Sequence, residues 1–317
     1  MRRREFLRKS GQALTFAAVT GGVGAFFHNR DIFKYEPQIT GSTGFGVVAD
    51  NSYPGLTLAK DTDHISALNK ALDAIGGIKR FIKPGETVTI KPNIGWDRTP
   101  EQAADTNPVL VGEMVRLCKD AGASRIVVTD ITCHDPRRCF IRSGIKESAE
   151  KAGAEVIHPT DDDLVNIDLK GELLSTWPVS KYFVETDRLI NMPIVKHHSL
   201  SSCTIGMKNL YGVLGGPRHQ LHQQIDQSIV DLASFFRPTL VVVDSTRVLM
   251  RNGPTGGSLD DVSLADSVIC SIDQVAADSR GAEFLGLKGD RVAHIVLAEK
   301  SGLGKIDYNS IGYKEII

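Results

Sequence analysis

The residues with the most chemistry in reach lie in one stretch, residues 191–216: Asn-Met-Pro-Ile-Val-Lys-His-His-Ser-Leu-Ser-Ser-Cys-Thr-Ile-Gly-Met-Lys-Asn-Leu-Tyr-Gly-Val-Leu-Gly-Gly. An apolar run over 188–195 leads into Lys196, His197 and His198, and Thr204, Lys208 and Asn209 follow before a glycine pair. A segment that only filled a core would not place so many cations and amides where a strand ends. Two lysines with hydroxyl and amide groups suit a phosphate or a carboxylate, lysine acting as a point charge. A buried lysine can instead serve as a base or a Schiff-base nucleophile through a lowered pKa. The spacing of Thr204, Lys208 and Tyr211 would set all three on one face of a helix.

Other polar clusters fall at the ends of expected strands. Lys91-Pro92-Asn93 is followed by Asp105-Thr106-Asn107-Pro108 at a helix start, where unpaired amides favour an anion. Asp130, Thr132, His134 and Asp135 form a second group, and Asp244 ends a third strand ahead of the glycine-rich loop 252–257. Asp273 reads as a helix cap. These positions define an expected crevice in which Lys91, Asn93, His198, Thr204, Lys208 and Asn209 hold a ligand, and Lys196, Lys208 and Asp244 are the candidates for catalysis. His219, His222 and Asp226 have the spacing to share a helix face and offer a weaker metal set, outside any His-Glu-x-x-His motif. A dinucleotide Gly-x-Gly-x-x-Gly after a strand, a Walker loop and a Gly-x-Ser-x-Gly elbow are all missing.

The elements that must position these groups alternate between apolar β runs and helical periodicity, the pattern of βαβ units on a mostly parallel sheet. Strands are expected at 46–49, 87–91, 125–130, 155–158, 188–195, 239–244 and 268–272. A helix carries Ile65, Leu68, Leu72 and Ile75 on one face, capped by Asp61 or Thr62. Others run from Asn107-Pro108 to Gly122, over 140–152, about 220–236, 274–285 and 291–300. The rhythm breaks over 161–185, where alternating Val165, Ile167 and Leu169 and the Trp177-Pro178-Val179 stretch predict a small β-rich insertion or flap. The expected fold class is α/β, a mostly parallel, Rossmann-like sheet with helices on both faces, in a single domain over 45–317.

Lys and Arg total 37 against 38 Asp and Glu. Such a balance argues against a nucleic-acid binder, which needs a phosphate-facing excess of positive charge. Arg3-Arg4-Glu5-Phe6-Leu7-Arg8 and the weakly apolar stretch to Phe27 read as a twin-arginine signal over 1–27, with a linker over 28–44. The alternative is a basic amphipathic helix. The signal predicts export in folded form to the periplasm or another extracytoplasmic space, with the twin-arginine machinery as a partner and a bound cofactor as one reason for folding first. Five cysteines without a Cys-x-x-Cys pair leave no iron–sulfur or zinc-ribbon motif, and unpaired buried thiols are the expectation, with a Cys133–Cys139 pair in an oxidising compartment as the alternative.

Together, Lys91-Pro92-Asn93, Thr106-Asn107-Pro108, Asn191 to Lys196 and His198, Thr204 to Lys208-Asn209 and Gly212, Asp244, Gly253-Pro254 and Ser271 to Asp278 resemble the family grouped as domain of unknown function 362. Some of its members carry ferredoxin-like cysteine clusters, which this chain lacks, so the resemblance implies a site without naming a reaction. Two classes of function fit. One is a redox-linked exported enzyme acting on a small anionic ligand or cofactor. The other is a non-catalytic cofactor-binding or maturation factor for an exported redox enzyme.

Overall fold

The computed structural model describes residues 44–317. The expected signal segment and nearly all of the expected linker lie outside the described residues. A large mixed sheet runs in the order β12-β1-β11-β10-β7-β2-β3-β4, with β1 Leu56–Lys60, β2 Thr87–Pro92, β3 Arg125–Thr129, β4 Glu155–Ile157, β7 Arg188–Met192, β10 Leu240–Leu249, β11 Val262–Ser271 and β12 Tyr313–Ile316. Strands β8 Ile194–His198 and β9 Ser202–Thr204 branch from β10. The half from β10 to β4 is parallel, and β11 joins it antiparallel to both β10 and β1.

Helices cover both faces, and the strands dictate this by alternation. Leu240 and Val242 join one apolar cluster while Val241 and Val243 join the other. The first cluster receives α1 His64–Ala74, α2 Ile78–Phe81, α3 Pro108–Asp120, α4 Pro136–Arg142 and α5 Ile145–Ala152. The second receives α6 Gly206–Asn209, α7 Ile225–Phe235, α8 Gln274–Ala282 and α9 Ala293–Lys300. A strand with two covered faces is apolar throughout, which is why Leu-Val-Val-Val at the start of β10 carries no polar alternation.

From β2 the chain steps to β3 and β4 in one direction, and from β7 it steps to β10 in the other. The reversal lies between β2 and β7, and a doubly wound sheet opens its ligand crevice at such a point. Two prolines sharpen the opening. The β2–β7 pairing ends at Pro92 and Met192, and Pro193, with no N–H to offer, is followed by β8, which pairs with β10 and β9 instead. The expected single run over 188–195 is therefore two strands, and Lys196 and His198 sit on β8 two residues apart, on one side of the strand.

Other elements depart from expectation for local reasons. Residues 46–49 form no strand. The first strand is β1, whose partners β11 and β12 lie more than two hundred residues away. The helix expected over 140–152 is two, broken at Gly144 (φ +73°), where a side chain would press on Pro108. Helix α1 is capped by Asp63, whose carboxylate accepts from Ile65 and Ser66, in place of Asp61 or Thr62. The 161–185 insertion is a two-stranded antiparallel hairpin, β5 Leu164–Asp168 with β6 Thr176–Ser180. Among the described residues no helix is long and apolar enough to cross a membrane.

Candidate functional site

Beyond the ends of β2, β3 and β8 lies a cleft of about 190 Å3. Its floor is a polar lattice built from the opening stretch and the Lys-Pro-Asn turn. Asn209 Oδ1 accepts from Asn93 Nδ2 (2.8 Å) and from Lys91 Nζ (3.2 Å), and Asn209 Nδ2 donates to Asn191 Oδ1 (2.8 Å). Lys91 Nζ also donates to Asp130 Oδ1 at 2.7 Å, and both side chains are buried. Burial pushes the Lys91 amine down, and Asp130 opposes that shift. The other Asp130 oxygen accepts from Ile94 N (2.7 Å), so the carboxylate ties the turn after β2 to the end of β3. Gly212 packs on this pair: a Cβ there would collide with Asp130 Oδ1 and lie 2.6 Å from Lys91 Nζ.

Lys196 Nζ donates to Asn93 Oδ1 (3.0 Å) and to Ala104 O (2.5 Å), two of its three donors. Burial pushes its amine down and pushes the neighbouring buried Asp105 carboxyl up, each charge opposing the other's shift. Asp105 Oδ1 accepts from Trp96 N, while its Oδ2 is buried with no partner. His198 Nδ1 accepts from Leu200 N and Ser201 N, both at 3.2 Å. The ring is therefore neutral with its proton on Nε2, and burial followed by Lys208 pushes its pKa down to about 3.

Lys208 differs from the other two lysines. It is 7% exposed, lines the cleft, and has no hydrogen-bond or ion-pair partner among the described residues; its Nζ rests 3.5 Å from the Tyr211 ring centroid. Burial pushes its pKa down to about 7; Cys133 opposes, and the cations of Arg218, Lys196 and Lys91 add to the depression. Helix α6, which carries Lys208 and Asn209, is held by Asp278, whose carboxylate accepts from Gly206 N (2.6 Å) and Met207 N (3.1 Å). The rings around it form a chain, with His222 stacked at 6.2 Å on His198 and edge-on at 5.5 Å to Tyr211.

Asn93, Lys196, His198, Thr204, Lys208 and Asn209 all line the cleft. Lys91 lies beneath the lining, tied to Asp130. Thr204 sits on β9, paired with Lys196, and reaches the same cleft without sharing a helix with Lys208. Asp244 is a correction. It is buried away from the cleft, with Oδ2 accepting from Asn107 N (2.8 Å) and Oδ1 from Thr246 N and Oγ1. Three hydrogen bonds, one to the start of α3 and two to Thr246, engage this carboxylate in the architecture, and it does not line the cleft. Asp273 caps α8, as read.

The metal set does not converge. His219 is exposed, His222 turns to the cleft, and Asp226 Oδ1 lies 3.6 Å from His294 Nδ1. Among the described residues no group of His, Cys, Asp and Glu is arranged to hold a metal ion. Four cysteines are buried and free, but Cys133 is exposed beside the cleft, 3.6 Å from Arg218. Arg218 went unread: its guanidinium donates to Tyr211 O (3.1 Å) and Thr132 O (2.5 Å), closing one rim. Its only signal is its place after Gly216-Pro217 in an otherwise polar segment.

Fold and site together define a doubly wound α/β protein with a cation-lined crevice at its strand-order reversal. The chain belongs to the family described as "Domain of unknown function (DUF362)", which it matches over residues 88–283, from β2 to the turn after α8. It is also similar to a thylakoid-associated protein of Synechocystis sp., 24% identical over 253 residues, with 75% of each chain covered. Among solved structures it resembles the lactate racemase apoprotein of Thermoanaerobacterium thermosaccharolyticum, at 12% identity and a TM-score of 0.44, over 75% of this chain; the chain spans 58% of the length of that one.

Proposed function

We propose that this protein is exported in folded form and binds a small anion, a carboxylate or a phosphate, in the cleft beyond β2, β3 and β8, with Lys208 as the group available for chemistry. The observation that carries the reading is the largely buried Lys208, whose amine faces the cleft beside Lys196 and Arg218 with no acceptor among the described residues. An ammonium held largely away from water with no counterion is costly. A ligand anion would supply the missing partner, with further donors from the third Lys196 hydrogen and His198 Nε2. The lattice beneath is already satisfied internally, so it holds its shape before the ligand arrives.

Export rests on the Arg3-Arg4-Glu5-Phe6-Leu7-Arg8 segment, and the thylakoid association of the Synechocystis relative supports a place at or beyond a membrane. The link to redox chemistry rests on that signal as well. The binding claim is tested by calorimetric titration of the purified protein with oxalate and with inorganic phosphate, in wild type and in the Lys196→Met and Lys208→Met variants. Saturable binding of one anion, weakened at least tenfold in both variants, supports the reading. Binding of neither anion overturns it.

A further inference from the structure

Three lysines meet around one cleft, and two of them already have acceptors in the architecture. Lys91 is bound to Asp130, Asn209 and the carbonyl of Pro92, and Lys196 to Asn93 and Ala104. Lys208 alone of the three has no acceptor among the described residues, and the Tyr211 face holds it in place. An amine held this way is poised as a nucleophile as well as a charge.

The donors around it select among anions. Phosphate sites draw on several backbone N–H groups at a helix start or a glycine-rich turn. Here the free N–H groups at the start of α6, those of Gly206 and Met207, are already taken by the Asp278 carboxylate. The anion must be met by side chains, Lys196 foremost, and a flat carboxylate needing two or three donors suits this better than a phosphate. His198 adds a neutral N–H donor at Nε2 that cannot be lost by a shift of the proton to the other nitrogen, because two backbone amides donate to Nδ1. Such a donor suits a carbonyl oxygen. A cleft of about 190 Å3 admits an acid of a few carbons.

We infer that the ligand is a small 2-oxo acid whose carboxylate is held by Lys196 and whose carbonyl carbon is attacked by Lys208 Nζ to form an imine, an inference that rests on the anion-binding reading above. The step balances without a co-reactant. The free amine's lone pair forms the C–N bond, the carbonyl oxygen takes up a proton that leaves the nitrogen, and the resulting hydroxyl departs with a second proton as water, leaving C=N. No electrons are gained or lost. The His198 Nε2–H stabilises the oxygen while it carries developing charge. With its pKa pushed down to about 7, the amine is a free base in useful amount near neutral pH.

The test is reductive trapping. Purified full-length protein is mixed with glyoxylate and sodium cyanoborohydride near pH 7, and the modified lysine is located by peptide mass spectrometry. The expected result is rapid conversion of Lys208 to its carboxymethyl derivative, slowed at least tenfold by saturating oxalate, which carries the carboxylate but cannot form an imine. Protection by oxalate in wild type keeps the test valid even if Lys208→Met does not fold. Oxalate binding with no preferential labelling of Lys208 overturns the imine and leaves anion binding standing. Absence of binding to oxalate and phosphate alike overturns both.

Discussion

Lys208 Nζ lies 3.5 Å from the centroid of the Tyr211 ring, three residues further along the chain, and this ring face is its closest electrostatic support. The two side chains leave successive turns, α6 and the 3-10 turn Leu210–Val213 that extends it, so the contact is local and is set before any ligand arrives. A cation over an aromatic face gains about 0.5–2 kcal/mol. Tyr211→Phe keeps the face and is expected to leave anion binding within about twofold of wild type. Tyr211→Leu removes it and is expected to lower the Lys208 pKa by roughly 0.5–1 unit. The pH dependence of glyoxylate trapping measures that shift.

Lys208 also makes stability depend on pH in a direction that can be worked out. Its folded pKa is pushed down to about 7 from an unfolded value near 10.5, so between these limits the unfolded chain holds more protons than the folded one. Stability then rises with pH through that window, and the cost of the buried ammonium is fully present only below it. Lys208→Met is expected to stabilise the protein on the order of 1–3 kcal/mol at pH 6, with the difference shrinking toward pH 10. Urea unfolding of both proteins across that range checks the sign.

Anion binding should run the other way. The ammonium attracts the ligand, so binding is expected to be strongest below pH 7 and to weaken as Lys208 deprotonates, with Lys196 losing its charge in the same direction. His198 is neutral throughout this range, its pKa being near 3, and His222, which faces Lys208, is also shifted toward the neutral form. Oxalate titrations between pH 5.5 and 9 measure the profile.

The Lys91–Asp130 pair is structural and should respond as a buried ion pair does. Asp130→Ala strands a buried ammonium and is expected to cost about 3–5 kcal/mol, while a Lys91→Met, Asp130→Leu double variant is expected to recover most of that loss. Gly212→Ala drives a methyl group into the same pair and is expected to cost about 1–3 kcal/mol. Chemical denaturation of the variants orders these effects.

What the sequence reveals of this molecule follows the range of the interactions involved. Asn107-Pro108 and Asp273-Gln274 announce helix starts because a cap is a contact over two or three residues. The crevice was legible through Lys196, Lys208 and Asn209, since polar groups at an apolar strand's end have few other uses. The misreading of Asp244 has a local trace: Thr246 stands two residues on, and its N–H and hydroxyl take one oxygen. Asp130, also at a strand end, shows no local sign of its place in the crevice, because its tie to Lys91 spans thirty-nine residues. Strands β1 and β12 went unread because their pairing joins the two ends of the described chain, and neither carries a pattern that points to the other. Arg218 spends its donors on backbone carbonyls, and no side-chain pattern predicts that.

The central claim is that Lys208 is held without a counterion so that a ligand anion can supply one. Calorimetric titration of oxalate into wild type and Lys208→Met at pH 6 tests it most directly. Saturable binding in wild type that falls at least tenfold in a folded Lys208→Met is the predicted result. Equal affinity in the two proteins would contradict the account.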